Sequence, residues 1–438
     1  MSSAIYGGDE ISALVIDTGS RWTRIGFAGE DTPRCVLPTF YGVNAEGKRY
    51  FGENHIFRPQ QQLEIKNPMK NGWIEDWDAM LELWEYGLEQ VLQVDDPSEH
   101  PILVTEPFNN PPEKRQKTLE LIFDVLGAPA AYLAKQEVCA AFSNGKGTAC
   151  VIDVGAERTT VAPVLDGFVL QAGYRVQDLA GASLNIALEE YLNSIPYTVV
   201  PTYLVKNKQV VPVGEPPKFD LQERTTTDSF HALQVQRVYE AWKEECAQVC
   251  TSQPFTRDVA VEERVFQFPD GKSISFGAER YEIPERLFTV DTPNSPNVEE
   301  EKTDGKGKDS KGGTDQQNNA ADEDISGRTV GLGLLVRNSI SACDVDLRTT
   351  MLSNIVVCGG TSLMQGFTLR LQNELTKLYP GSRLKIHASG HSVERTCASW
   401  LGGSILASLG TFHQLWVSKA EYEENINDKA TLIEKRCK

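Results

Sequence analysis

An internal repeat constrains this chain more than any other feature of its sequence. ALVIDTGSRWTRIGFAG begins at Ala13, and ACVIDVGAERTTVAPVLDG begins at Ala149. Each copy reads as an apolar strand ending in Asp-x-Gly, a short turn, and a second extended segment. The aspartates, Asp17 and Asp153, lie about one domain length apart. Two similar domains facing each other across a cleft are the simplest architecture for such a duplication, and interdomain clefts are where ligands usually sit.

Around the repeat, strands and helices alternate. Short β-branched runs predict strands at 13–16, 102–104, 150–152 and 355–358. A helix is predicted over 112–126, with Leu119, Ile122, Phe123 and Leu126 on one face and Gly127 as its stop. Trp77, Met80, Leu81, Trp84, Leu88 and Val91 form a second apolar stripe. Phe367, Leu371, Leu375 and Leu378 form a third, ended by Pro380 and Gly381. This alternation predicts an α/β protein with partly parallel sheets, in which the aromatic stripes are core. Residues 291–328 depart from the pattern, with ten acidic and five basic residues and almost no apolar ones. Such a stretch buries too little area to offset its ordering entropy, so it reads as a disordered acidic surface insert.

Composition excludes several classes. With 43 basic and 61 acidic residues the net charge is −18, which argues against electrostatic binding of DNA or an anionic membrane but not against basic proteins such as histones. No apolar run approaches the roughly 18 residues that span a bilayer, and the opening MSSAIYGGDE is not a signal peptide. Nine cysteines, an odd number at irregular spacings, suggest free thiols in a reducing compartment. The expectation is a soluble intracellular protein. Cys246 with Cys250, and His387 with His391, have ligand-like spacing, but core cysteines and surface histidines are the simpler reading.

The hairpins carry the chemistry. A glycine after the aspartate lets the backbone turn tightly and brings amide N–H groups close to an anion. Gly19 and Ser20 would cradle terminal phosphates, with Arg24 neutralising them and Gly155 acting from the opposite side. Asp17 and Asp153 would then face each other near the phosphates, suited to a hydrated Mg²⁺ or Ca²⁺. Gly359-Gly360-Thr361 reads as strand, glycine turn and helix start, a second kind of anion or nucleoside site. Gly181 also precedes a helix; taken alone, either glycine is equally a close-packing residue.

With these motifs in place, the chain resembles an actin-related protein, in the clan of ATPases that includes actin, chaperones and sugar kinases. Three segments are similar to actin proper: PMKNGWIEDWDAM from Pro68, ILVTEPFNNPPEKRQK from Ile102, and WLGGSILASLGTFHQLWVSKAEYEE from Trp400. YGGDE at Tyr6 and the insert near residue 300 resemble the nuclear class of actin-related proteins. The resemblance implies an actin-like ATPase fold of two duplicated RNase H-like domains around a nucleotide cleft. The outer, small domain would be 1–148 completed by 395–438, and the inner, large domain 149–394. It also implies an ATP site with Mg²⁺ or Ca²⁺. Asp17, Gly19, Ser20 and Arg24 match the first phosphate loop, and Asp153 and Gly155 the second, the two aspartates holding the metal through water. Gly181, Lys243 and Glu244 match nucleoside-binding positions, and Gly359, Gly360, Thr361 and Met364 match the segment along the adenine and phosphates. Gln136 matches the residue that positions the attacking water.

The departures are informative. Arg21 stands where actin has a small glycine. Ala156 and Glu157 replace an aspartate and a glycine, and a glutamate near a triphosphate repels it unless it turns away or pairs with Arg158. Thr160 stands in place of a second water-orienting residue, a histidine, and Thr396 in place of a lysine near the adenine. The expectation is retained ATP binding with weak or absent hydrolysis. Only VNAEGKR separates Tyr41-Gly42 from YFGE, where actin has a long filament-contact loop. The apolar plug expected after Phe288 gives way to the charged insert, so a filament is not expected.

The resemblance therefore implies a non-polymerising nuclear subunit of histone acetyltransferase and chromatin-remodelling complexes. Its partners would be actin, a helical segment of a scaffold or motor subunit, and histones or nucleosomes, with no sequence-specific DNA binding and no membrane. Two alternatives stand beside it. A cytoskeletal or dynactin-type filament subunit is opposed by the short loop and the insert. An active ATPase of the sugar-kinase and chaperone clan is opposed by the actin-type segment from Trp400 and the altered second phosphate loop.

Overall fold

The computed structural model describes residues 12–252, 254–258, 260–289 and 329–437. The 291–328 insert and the YGGDE segment lie outside them. The first copy of the repeat forms the antiparallel hairpin β1 (Leu14–Thr18) and β2 (Trp22–Phe27), extended by β3 (Cys35–Pro38). On the other side of β1, β4 (Ile102–Glu106) and then β5 (Ala130–Lys135) add in parallel. The second copy forms the hairpin β6 (Ala149–Val154) and β7 (Thr159–Leu165), with β8 (Arg175–Gln177) along β7. Here β9 (Ile355–Cys358) and β10 (Ile386–His387) add in parallel beyond β6. Finally β11 (Val417–Ser418) returns to the first sheet, antiparallel to β5.

The repeat is reproduced down to its register. Asp17 lies opposite Arg24, and Asp153 opposite Thr160. Each turn closes with the same bond, Gly19 N–H to Trp22 O and Gly155 N–H to Arg158 O, both 3.0 Å. All of β1 is buried, as expected for a β-branched strand between partners with helices covering the sheet. The strands predicted at 13–16 and 150–152 run on through both aspartates, because ladder pairing, not side-chain polarity, decides where a strand stops.

The helices used below are α1 (Trp77–Glu85), α2 (Pro112–Glu120), α3 (Gln136–Ser143), α4 (Gly181–Ser194), α5 (Asp228–Glu245), α6 (Phe367–Leu378) and α7 (Ala398–Ser408). The predicted stripes are core, with one correction. After α1 the chain continues as a wide π-type turn over Tyr86–Val91, which shifts the helical register. Leu88 stays buried but Val91 is 40% exposed. Gly87 lets this turn pack closely on β2, since a Cβ there would lie 2.5 Å from Ile25 Cδ1. The helix predicted over 112–126 ends in a similar turn, Leu121–Val125, with Ile122, Phe123 and Leu126 buried. Among the described residues no helix is long and apolar enough to cross a membrane.

Each sheet has its own core. Trp84 and Trp400 anchor the first lobe, where the Trp400 indole donates to Val15 O at 3.1 Å. Trp242, Phe276 and Phe367 anchor the second. The chain crosses between lobes through α3, which leads from β5 to β6, and returns through α7. A separate cluster of small residues from α3, β6 and α7, including Ala140, Ala141, Val151 and Ala398, fills the junction. There the helices touch backbone to backbone, since a Cβ on Gly402 would sit 1.7 Å from Cys139 O.

Gly402→Ala should therefore force α3 and α7 apart. We expect a loss of about 2–3 kcal/mol from overpacking, outweighing the ~1 kcal/mol that alanine's helix propensity adds. Gly410→Ala, which has open space around it, should shift stability by about 0.5 kcal/mol or less. Urea unfolding midpoints of the two variants check this; equal midpoints would mean that the helix pair is not so tightly locked.

Candidate functional site

The C-terminal ends of β1, β6 and β9 and the turns that follow them open into one cleft of about 1620 Å³. Such ends are where α/β sheets place their ligands. Asp17, Gly19, Ser20, Arg24, Gln136, Asp153, Gly155, Gly181, Lys243, Glu244, Gly359, Gly360, Thr361 and Met364 all line it, so the residues singled out in the sequence converge.

At the floor, Asp17 is buried and accepts hydrogen bonds from Thr105 Oγ1 (2.6 Å) and Arg24 (3.2 Å), with Gln136 Nε2 at 3.5 Å. Gln136 opens α3 directly after Lys135, and the end of β5 is clamped. The buried Glu106 accepts from Lys135 Nζ (2.6 Å), Arg115 Nε (2.7 Å) and Asn110 Nδ2 (2.8 Å). Opposite, Asp153 has its carboxyl pushed up to about 6, first by withdrawal from water and then by the negative charge of Asp17. The second hairpin sets Thr160 across from Asp153 where the first sets Arg24 across from Asp17. Arg24 thus pairs with Asp17 within the first hairpin, whereas Arg158, the arginine of the second hairpin, lies over Trp73 instead. Next to Gln136, the buried Glu137 accepts from Phe108 N–H at 3.3 Å, and burial pushes its carboxyl up to about 7.

The positive groups are also incompletely answered. Arg24 Nε is buried with no hydrogen-bond partner among the described residues. Lys243 donates to Gly181 O at 2.9 Å, and burial pushes its ammonium down to about 8. Arg24 meets Asp17 through Nη1 alone, and the charges of Glu240 and Glu244 only partly offset the burial of Lys243, which leaves both groups able to engage an added anion. A polyphosphate with a hydrated divalent cation answers both halves, giving an anion to the arginine and lysine and a cation to the facing carboxylates. The residues present therefore fit the ATP–metal pair that the resemblance implies.

The glycine motifs divide into two kinds. Around Gly360 an added Cβ would meet nothing closer than Thr396 Cγ2 at 3.8 Å, leaving room for a ligand to approach the backbone. Gly359 and Gly181 are packing glycines. Gly359, at φ +87°, would place a Cβ 2.3 Å from Asp153 Oδ1, and Gly181 would place one 2.6 Å from Thr361 Oγ1. The two helix starts differ in what their backbone faces. The helix that starts after Gly359 is a single 3-10 turn, Gly360–Leu363, and the longer α6 begins only at Phe367. The amides at the start of α4 face protein, with Gly181 N–H donating to Gly155 O (3.2 Å) and Ala182 N–H to Ala156 O (2.7 Å). Thr361 Oγ1 also donates to Gly155 O at 2.7 Å. These groups hold the second hairpin in place.

The substituted positions settle as follows. Glu157 turns away from the hairpin and accepts Gly72 N–H at 3.2 Å, while Arg158 lies over the Trp73 ring at 4.7 Å. Arg21 pairs with Glu240 on α5. Thr160 and Thr396 both line the cleft. Sequence reasoning missed Thr105, and also Thr39 and Asn67, which hold the first turn through Gly19 O (2.7 Å) and Ser20 O (2.8 Å). Thr105 was findable in principle: it is the first polar residue at the end of the apolar run Ile102–Val104, next to β1.

Residues 8–438 match the family model described as Actin. The chain is 56% identical to Actin-related protein 4 of Schizosaccharomyces pombe over 100% of both chains. It is 40% identical to another protein of that organism, the SWI/SNF and RSC complexes subunit arp42, over 98% of this chain and 100% of that one. Actin-related protein 4 of Emericella nidulans is 36% identical over 100% of this chain and 98% of its own. The α/β architecture, with its duplicated hairpins and intervening cleft, is thus the actin-like fold, and the chain belongs to the actin family, among its actin-related proteins.

Proposed function

We propose that the protein is a non-polymerising, ATP-binding structural subunit of nuclear chromatin complexes. The observation that carries the nucleotide half is the meeting of Asp17 and Asp153 at the floor of a cleft where Arg24, paired with Asp17, keeps an unpartnered Nε among the described residues and the buried Lys243 donates to the Gly181 carbonyl. Arg24 and the hairpin amides would hold the phosphates, and the two aspartates the Mg²⁺ or Ca²⁺ through water. Lys243, Glu244 and Met364 would hold the nucleoside. Bound ATP supplies a polyanion that touches both lobes, and its binding energy adds to the stability of the fold. The lobes serve as the outer domain, 1–148 with 395–438, and the inner domain, 149–394. Gln136 is poised to orient a water, but Thr160 offers no second imidazole, so hydrolysis is weak or absent.

The chromatin half is supported by the relative named as a SWI/SNF and RSC complexes subunit. On this reading the protein works in histone acetyltransferase and remodelling complexes, with actin beside it on a helical segment of a scaffold subunit. The acidic chain, at −18, suits contact with histones. Polymerisation is opposed by the segment after Tyr41, which folds into a tight hairpin of Tyr41–Val43 with Arg49–Tyr50, closed by Asn44 N–H to Lys48 O at 3.1 Å. It extends no loop toward a neighbour.

The test begins with nucleotide content and turnover of the purified protein. Wild type should release ATP on denaturation and show no phosphate release over hours. Asp17→Ala should lose the nucleotide, and with it about 2.7 kcal/mol of stability at a ligand concentration a hundredfold above Kd. Steady phosphate release would make the protein a working ATPase, and an empty cleft in the wild type would end the nucleotide half. Failure to co-purify with actin on a remodeller's helical segment would end the chromatin half.

A pH dependence follows from Asp153. Its carboxyl must ionise to hold a cation, and it does so only above about 6. Lowering the pH from 7 to 5 should therefore weaken Mg²⁺-dependent ATP binding, by about tenfold per unit below that value. Mg²⁺ titrations at several pH values check this; a flat profile would remove Asp153 from the metal site.

A further inference from the structure

We infer that the chain closes its own cleft: two oppositely charged arms at equivalent positions of the repeated hairpins, together with an apolar roof, hold the lobes together without a nucleotide and set how fast a bound one leaves. The second half of this inference rests on the nucleotide reading above; the first does not.

The arms are Arg21 and Glu157, each two residues beyond the turn glycine of its hairpin. Both reach the opposite lobe. Arg21, from the first hairpin, pairs with Glu240 of α5 in the second lobe. Glu157, from the second hairpin, accepts the Gly72 amide of the first lobe. Each side chain is half-buried, where a charged hydrogen bond is stronger than it is in open water. Arg158 reinforces the second contact by lying over Trp73, beside Gly72.

The roof lies along the first half of α5. Further along, this helix buries Val238, Tyr239 and Trp242 in the core of the second lobe. Its first turns do something different: Phe230 and Leu233 are buried among Ile56, Leu63 and Ile65 of the first lobe. Polar bonds fasten the same contact, with Thr227 Oγ1 donating to Leu63 O (2.7 Å) and Ile65 N–H to Ser229 Oγ (2.9 Å). Because Ser229 and Leu233 also line the cleft, this contact forms part of its wall.

One helix thus belongs to the second lobe at one end and fastens to the first lobe at the other. To open the cleft, the lobes must break an apolar contact, the polar bonds that fasten it and two charge-assisted hydrogen bonds, none of which involves a ligand. A nucleotide between the hairpins then leaves only when the lobes open, and the protein's own contacts limit that rate. Arg21 and Glu157 carry opposite charges, so the pair adds nothing to the net charge of the site.

The test uses the full chain stripped of nucleotide and two variants, Arg21→Ser/Glu157→Ser for the arms and Leu233→Ser for the roof. Hydrogen–deuterium exchange at the Ile65 and Gly72 amides reads closure directly. Wild type should exchange slowly without nucleotide, and each variant roughly tenfold faster or more at the amide it exposes, as loss of a charged hydrogen bond implies for the arms and loss of apolar burial for the roof. Release of a fluorescent etheno-ATP, chased with ATP, should accelerate by a similar factor in both variants. Fast exchange at both amides in the stripped wild type would overturn self-closure. Unchanged release in both variants, with binding intact, would overturn retention. If the wild type does not bind etheno-ATP, the nucleotide reading and the retention claim fall together, while amide exchange still decides self-closure. Should Leu233→Ser fail to fold, the arm variant, whose side chains lie at the cleft wall, decides both claims.

Discussion

A carboxylate at the end of a fully buried strand must find positive charge or give up its own. Most of this molecule can be understood from that requirement, met twice. Asp17 has Arg24 from its own hairpin, Thr105 from the neighbouring strand and Gln136 from α3. Asp153, in the same register of the second hairpin, has Thr160 across from it and no arginine. Burial, and after it the charge of Asp17, pushes the Asp153 carboxyl up. The two ends face each other because each hairpin sits at the same place in its sheet, flanked by an antiparallel partner and a parallel one. Two carboxylates brought together at the floor of a cleft, one of them facing only a threonine across its own hairpin, are chemically suited to a hydrated cation.

The repeat was legible because both copies use the same short grammar: β-branched run, aspartate, glycine, second extended run. The stripes of α1 and α6 were legible for a related reason, since their burial follows helical spacing for two or three turns. The sequence lost the thread where local geometry departs from the ideal. The wide turn over Tyr86–Val91 turns Val91 outward, and nothing in the spacing of apolar residues announces it.

The site was half legible. The aspartates, the turn glycines and the third glycine motif converge, but the role of each glycine is decided by neighbours distant in sequence. Gly359 is needed because the Asp153 carboxylate lies where a Cβ would be, and Gly360, beside it, faces open space. The charged residues that matter most were hardest to see. Glu106, Lys135 and Arg115 read as surface charges along the chain, yet they are buried together under α3. Glu240 lies more than two hundred residues from Arg21, and no periodicity links them. Pairings of that kind belong to the folded chain and are encoded nowhere locally.

The return of α7 and β11 to the first lobe has a consequence for the order in which the molecule is made. Synthesis runs from the N-terminus, so β1 to β5 emerge first, yet Trp400 and Val417 complete their core and sheet. At about 5–20 residues per second, the ribosome adds the intervening stretch over tens of seconds. Through that interval the earlier-made half waits with β5 unpaired along one edge and apolar surface uncovered, while the second lobe acquires all of its strands. The half that is translated first is therefore finished last, and in the nascent chain it is the half most dependent on shielding from chaperones.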